Sequence, residues 1–157
     1  MNINWKHYGA EIAEKDGVFY QTGEGDSSLF DTERAPANFV FEADIKLKKD
    51  GKAGMYFRCQ GRNGAEWLAG YYFCADAGDN SVTLMKVNGG DRDNTELGRM
   101  RYPFEKDKWY RMRVEMSGKI ARLYFNNFDY EENPYPKFDI FLGHFPRGAV
   151  GLRFGEG

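Results

Sequence analysis

Long hydrophobic runs are the first thing this sequence lacks: nowhere do its 157 residues approach the roughly 18 consecutive apolar side chains of a membrane-spanning helix. The opening Met1-Asn2-Ile3-Asn4-Trp5 has no charged-then-apolar leader, so neither a membrane span nor a signal peptide is expected within this chain. An excess of one charge is also missing. The 22 Lys and Arg nearly balance the 24 Asp and Glu, for a net charge of −2, and no basic run or pole could neutralise a phosphate backbone. Nucleic acid is therefore not an expected partner. Cysteine is scarce: Cys59 and Cys74 are too few for a disulfide framework and lack metal-type spacing. They fall on neighbouring candidate strands, which leaves open one bridge or two buried free thiols. Helical periodicity is absent too, with no segment of about ten or more residues following a 3.6-residue repeat.

Aromatic residues and glycine are plentiful. Phe, Tyr and Trp make up 17% of the chain, and 19 Gly punctuate it at short intervals, a mixture that favours pleated strands joined by turns. Alternation with a period of two recurs throughout. Phe39, Phe41, Ala43, Ile45 and Leu47 form one face of a candidate strand, with Glu42, Asp44, Lys46 and Lys48 on the other. Met55 and Phe57 alternate with Tyr56 and Arg58, and the run Tyr71-Tyr72-Phe73-Cys74 ends at Asp76-Ala77-Gly78-Asp79-Asn80. Val82 to Val87 closes at Asn88-Gly89-Gly90, a hairpin-type turn. Tyr110, Met112, Val114 and Met116 then alternate with Arg111, Arg113 and Glu115 before Ser117-Gly118-Lys119 opens a hairpin into Ile120 to Phe125. Val150, Leu152 and Phe154 close the pattern, while Asn126 to Pro136 reads as a long polar loop. Short strands punctuated in this way predict an all-β fold, a two-sheet antiparallel sandwich of jelly-roll type. With no linker or repeat, residues 1–157 read as one domain, long enough to bury roughly 70% of the surface of the unfolded chain.

In their order along the chain these pieces resemble the concanavalin-like, laminin-G-like jelly rolls, and most of all the fructoside-binding carbohydrate-binding modules attached to levanases and related glycosidases. The landmarks are Gly23-Glu24-Gly25-Asp26 ahead of Leu29-Phe30, Asn38 to Asp44, Ala53 to Arg58, Gly70 to Phe73, Val82 to Lys86, Lys108 to Val114 and Gly148 to Arg153. Where such modules follow the last hairpin with an Asp-Gly turn, this chain has Asn126-Asn127.

Candidate binding residues follow from the wet strand faces. With Phe41 and Phe57 inward, Glu42, Asp44, Tyr56 and Arg58 point the other way, and neighbouring strands are expected to bring them onto one curved face. A carboxylate accepts from one sugar hydroxyl while an arginine fork donates to the next. An aromatic ring from Trp67, Tyr71 or Tyr72 supplies a platform for the C–H face of a sugar. The alternative is a solvated face whose ion pairs contribute about 0.2–1 kcal/mol each. Glu24, Asp26, Asp76 and Asp79 lie in glycine-rich loops, where carboxylates either bind ligand or shape turns through Asx hydrogen bonds. The resemblance further implies a structural calcium, with Asp139 and Asp26 as candidate ligands among the six to eight oxygens calcium takes.

Catalytic residues are harder to find. Glucanases of this fold carry a Glu-x-Asp-x-x-Glu strand; Glu42-Ala43-Asp44 begins that way, but Leu47 stands in the final position. The second carboxylate of a retaining pair, about 5–5.5 Å from the first, is thus missing. His7 and His144 are isolated, and no Ser or Cys sits in a nucleophile elbow. A related group, the keto-glycoside hydrolases with a laminin-G-like sandwich, usually has an Asn-Ser-Gly segment where this chain has Lys52-Ala53-Gly54. The expectation is a non-catalytic, monomeric carbohydrate-binding module of a larger secreted protein, holding a glycosidase near a levan-type polysaccharide. Keto-glycoside hydrolysis and a laminin-G-like protein-interaction module stand as alternatives.

Overall fold

The computed structural model describes residues 4–31, 33, 35–48, 50–60, 69–88, 94–126, 135–145 and 147–155. Thirteen strands and no helix occur among them. They are β1 (Trp5–Gly9), β2 (Ile12–Lys15), β3 (Val18–Gln21), β4 (Ser27–Asp31), β5 (Phe39–Lys46), β6 (Lys52–Gln60), β7 (Ala69–Asp76), β8 (Ser81–Asn88), β9 (Thr95–Arg101), β10 (Trp109–Ser117), β11 (Ile120–Phe125), β12 (Phe138–Phe141) and β13 (Ala149–Phe154). A seven-stranded sheet runs β1-β4-β13-β6-β7-β8-β9 and a four-stranded sheet runs β12-β11-β10-β5, all neighbours antiparallel. The hairpin β2-β3 stands apart as a two-stranded ribbon. The expected antiparallel sandwich is thus present.

Alternation decides which side chains fill the space between the sheets. Phe41, Ile45 and Leu47 from β5 and its end meet Tyr110, Met112, Val114, Leu123 and Phe125 of the same sheet and Met55, Phe57, Tyr71, Phe73, Val82, Leu84 and Val150 of the other, all buried in one cluster. Tyr71 and Phe73 both face inward, which leaves Tyr72 between them to face out.

At Arg58 the alternation breaks. The register of β6 shifts against β7 between Phe57 and Gln60 and against β13 between Ala149 and Gly151, so β6 carries one extra residue relative to both neighbours. Arg58 occupies this bulge with φ of 51°, in the left-handed region that costs an ordinary side chain energy. It is 1% exposed, and Nη2 donates to the carbonyl oxygens of Ala37, at 2.8 Å, in the segment leading into β5, and of Gly118, in the β10-β11 turn. Burial lowers the pKa of the guanidinium below its ordinary value. Arg58 ties one sheet to the other and does not stand on a wet face beside Tyr56.

Cys59 and Cys74 are free and buried, so the second of the two alternatives for them holds. Cys74 lies opposite Gly54 and Cys59 packs against Gly70, with the Tyr56–Tyr72 pair between them. Burial pushes both thiols above the ordinary cysteine range. Native protein is therefore expected to resist a thiol reagent at pH 8, both cysteines reacting only after denaturant is added; labelling followed by intact-mass measurement checks this. Phe73→Ala, which empties a fully buried site, is expected to cost about 3–5 kcal/mol in urea unfolding.

Candidate functional site

The outer face of the seven-stranded sheet is unusual in being apolar and buried. Phe30, Tyr56 and Tyr72 form a second cluster with Cys59 and Cys74, with exposures of 5–8%. Their rings stack in a row, Phe30 to Tyr56 at 5.2 Å and Tyr56 to Tyr72 at 4.6 Å between centroids. Glycine makes this possible. A methyl group at position 54 would stand 2.6 Å from Tyr72 Cε2, and one at position 151 would stand 2.6 Å from Phe30 Cδ1. The rings lie flat on the sheet because Gly54 and Gly151 offer them bare backbone.

Arg153 caps this row. It extends from β13 with its guanidinium 5.4 Å from the Tyr72 ring centre, Nη1 donating to Tyr56 Oη at 3.2 Å and Nη2 to Asp26 Oδ2 at 2.7 Å. Burial opposes its charge, but the oxygens of Tyr72, Tyr56 and Asp26 outweigh that and hold its pKa above the usual value. Burial likewise raises the phenols of Tyr56 and Tyr72 above their ordinary pKa, against the opposing pull of Arg153, so both stay neutral near pH 7. This side chain is a fixed cation with a solvent-facing edge, its side chain 34% exposed.

Arg153 also borders a cavity of about 1250 Å³ at one rim of the sandwich, between the β2-β3 hairpin, the end of β5, the start of β6, the start of β10 and the end of β13. The lining is mixed. Val18, Tyr20, Trp109, Leu152 and Phe154 supply apolar surface, while Glu24, Glu42, Asp44, Lys48, Lys52 and Asp107 supply charge. Such a composition suits an amphipathic ligand with both C–H faces and hydroxyls.

The residues expected to bind ligand are distributed as follows. Glu24, Glu42 and Asp44 line the cavity. Tyr56 and Tyr72 lie beneath Arg153. Asp76 pairs with Lys52 of the cavity wall at 3.6 Å and also accepts from the backbone N–H of Gly78 and Asp79, the Asx turn that was the alternative for it. Trp67 lies outside the described residues.

The expected meeting of Glu42 and Arg58 does not occur. Glu42 is on the outer face of the four-stranded sheet, bound to Arg113 at 3.1 Å and near Arg111 at 3.8 Å, whereas the bulge turns Arg58 into the interior of the sandwich. Asp44 is similarly held by both nitrogens of an Arg111 fork, at 2.7 and 2.9 Å. Asp26 and Asp139 are not brought together for calcium: Asp26 engages Arg153, and Asp139, on β12 in the other sheet, lies 3.7 Å from Arg122. Among the described residues no group of three or more His, Cys, Asp or Glu could hold a metal ion.

Sequence reasoning passed over Arg153, Trp109 and Tyr20 as site residues. Arg153 sits in an ordinary alternating strand, and its placement depends on Gly54 and Gly151, two residues that alternation treats as blanks.

A sandwich with this strand order is a concanavalin-like jelly roll. The chain belongs to the 3-keto-alpha-glucoside-1,2-lyase-like domain family, whose model matches residues 2–156. That is the keto-glycoside relative of the fold, the alternative set beside the carbohydrate-binding modules above. Among curated proteins, none matches this sequence. Among solved structures, the carbohydrate-binding module CBM66 from Bacillus subtilis superposes with a TM-score of 0.80 at 21% identity, over 99% of this chain and 90% of that one. The exoplasmic/lumenal domain of VIP36, in a Ca²⁺/Man3GlcNAc-bound form, gives 0.68 at 17% identity over 98% and 78%. A legume lectin-like domain from Entamoeba histolytica gives 0.68 at 13% identity over 98% and 82%. At these identities the likeness shows the fold.

Gly54→Ala is expected to lower stability by about 1–3 kcal/mol, because the new methyl runs into both the Phe73 carbonyl oxygen of the neighbouring strand and the Tyr72 ring, and to loosen Arg153 with that ring. Thermal unfolding together with near-UV circular dichroism of the tyrosines checks this.

Proposed function

We propose that this domain binds a saccharide in the rim cavity, with Arg153 as its principal polar contact. One observation carries the reading: a guanidinium held in place by an aromatic row and Asp26 borders a cavity whose walls mix aromatic, carboxylate and ammonium groups. An arginine fork donates to two neighbouring hydroxyl oxygens at once, and its orientation is set before ligand arrives, which reduces the ordering cost of binding. The names of similar structures, a carbohydrate-binding module and a Man3GlcNAc-bound exoplasmic/lumenal domain, agree with a glycan ligand. Levan-type fructosides are the finer form of the proposal, and α-glucosides, bearing the family's name, are its competitor.

Family membership favours a second reading, cleavage of a 3-keto-α-glucoside. A ketone at C3 acidifies the proton at C2, so a base that removes it expels the C1 substituent. Glu42 and Asp44 are committed to arginines, which leaves Glu24 and Asp107 as the cavity-lining carboxylates for that role.

Calorimetric titration with levan, inulin, maltotetraose and a 3-keto-α-glucoside separates these readings. Arg153→Ala is expected to weaken glycan binding by about 10-fold or more, and Arg153→Lys, which keeps the charge without the fork, by less. Absence of binding to every one of these sugars, or equal binding by Arg153→Ala, would sink the saccharide proposal. Release of the aglycone from the keto-glucoside, abolished in Glu24→Gln or in Asp107→Asn, would establish the second reading.

A further inference from the structure

We infer that Tyr20 and Trp109 are two aromatic platforms between which the rim cavity takes one ring of an oligosaccharide. The inference rests on the saccharide reading above and adds to it the apolar half of the recognition.

Among the described residues, many aromatic side chains are packed in the inter-sheet core or stacked in the row beneath Arg153, and the most exposed, Tyr135 and Phe141, lie away from the cavity lining. Tyr20 and Trp109 are different: they are 45% and 40% exposed, and both line the cavity. They also reach it from different walls, Tyr20 from β3 of the hairpin and Trp109 from the first residue of β10. Exposing two such rings to water has no structural benefit in view. Phe19 docks the hairpin edge-on against Trp5, at 6.2 Å and 78°, and Tyr20 takes part in no ring contact or hydrogen bond among the described residues. Trp109 faces Lys46 directly across the β10-β5 ladder, with Lys46 Nζ 4.7 Å from its ring centre, which fixes the indole without covering it. Its indole N–H and the Tyr20 hydroxyl therefore remain available to ligand oxygens.

The ligand that matches is a ring with an apolar C–H face and polar edges. Aromatic faces take the first, and the free phenol O–H and indole N–H, with Arg153 and Glu24 nearby in the same lining, take the second. The cavity, at about 1250 Å³, exceeds the roughly 300–1,000 Å³ of common small-molecule sites. It suits several linked sugars, one ring at the aromatic pair and another at Arg153.

The test uses the whole chain with levan-derived, inulin-derived and malto-oligosaccharides as probes. Tyr20→Ala and Trp109→Ala are each expected to bind about tenfold more weakly, while Tyr20→Phe and Trp109→Phe, which keep a stacking face, stay within about threefold. Wild-type tryptophan emission is expected to shift to the blue on binding, and Trp109→Phe is expected to bind without that shift. Alanine variants that bind like wild type, while Arg153→Ala does not, would overturn the aromatic clamp and leave the saccharide reading standing. Failure of the wild type to bind any probe removes both.

Discussion

The packing of three rings onto bare backbone is the constraint from which the rest of this site follows. A β-sheet normally presents alternating side chains to both faces, and a large ring beside another side chain must stand up from the sheet. Here Gly54 and Gly151 remove the neighbours, so Tyr72 and Phe30 recline and Tyr56 lies between them. The outer face of β6 is thereby buried along with its inner face, and every residue from Ala53 to Cys59 is sealed. Arg153 comes to rest on top, aimed by geometry beneath it rather than by a single salt bridge.

The two sheets use charge differently. On the outer face of the four-stranded sheet, Asp44 pairs with Arg111 and Glu42 with Arg113 across the β5-β10 ladder, and Arg113 also reaches Glu115 along its own strand, so these charges are answered by neighbours. Those pairs are half-exposed and individually worth little. On the seven-stranded sheet Arg153 sits on an apolar bed with Asp26 as its one carboxylate partner among the described residues. A cation set against aromatic surface keeps more of its capacity to bind an incoming oxygen than one enclosed by carboxylates.

Much of the sandwich was legible in the sequence because alternation is a direct consequence of the pleat. The buried face Phe41, Ile45, Leu47 and the inward series Tyr110, Met112, Val114, Met116 came straight from period-two spacing. The short strands β1, β2, β3 and β12 were not read, since four or five residues such as Trp5–Gly9 offer too few repeats to stand out from a loop, and β9 was missed because Leu97 and Met100 do not alternate with a period of two. The site was legible only in residue type. Carboxylates, tyrosines and an arginine were expected, but the arginine chosen was Arg58, because strict alternation puts it outward with Tyr56. One inserted residue inverted that assignment, and no pattern in Phe57-Arg58-Cys59-Gln60 marks the insertion. Glu42 and Asp44 were correctly placed on a wet face, yet which cations would answer them depended on the β5-β10 register, a long-range pairing that spacing alone does not fix.

The extra residue in β6 also governs how the strand can be threaded. Sliding β6 by one position against β7 and β13 would exchange Phe57 for Tyr56 in the interior and lift the ring row off its glycines. It would also carry a guanidinium away from the two carbonyl oxygens that receive it. A charged side chain buried at a kink thus acts as an indexing pin: misaligned pairings take Nη2 away from those two acceptors, and the observed alignment of the central strands delivers it to them.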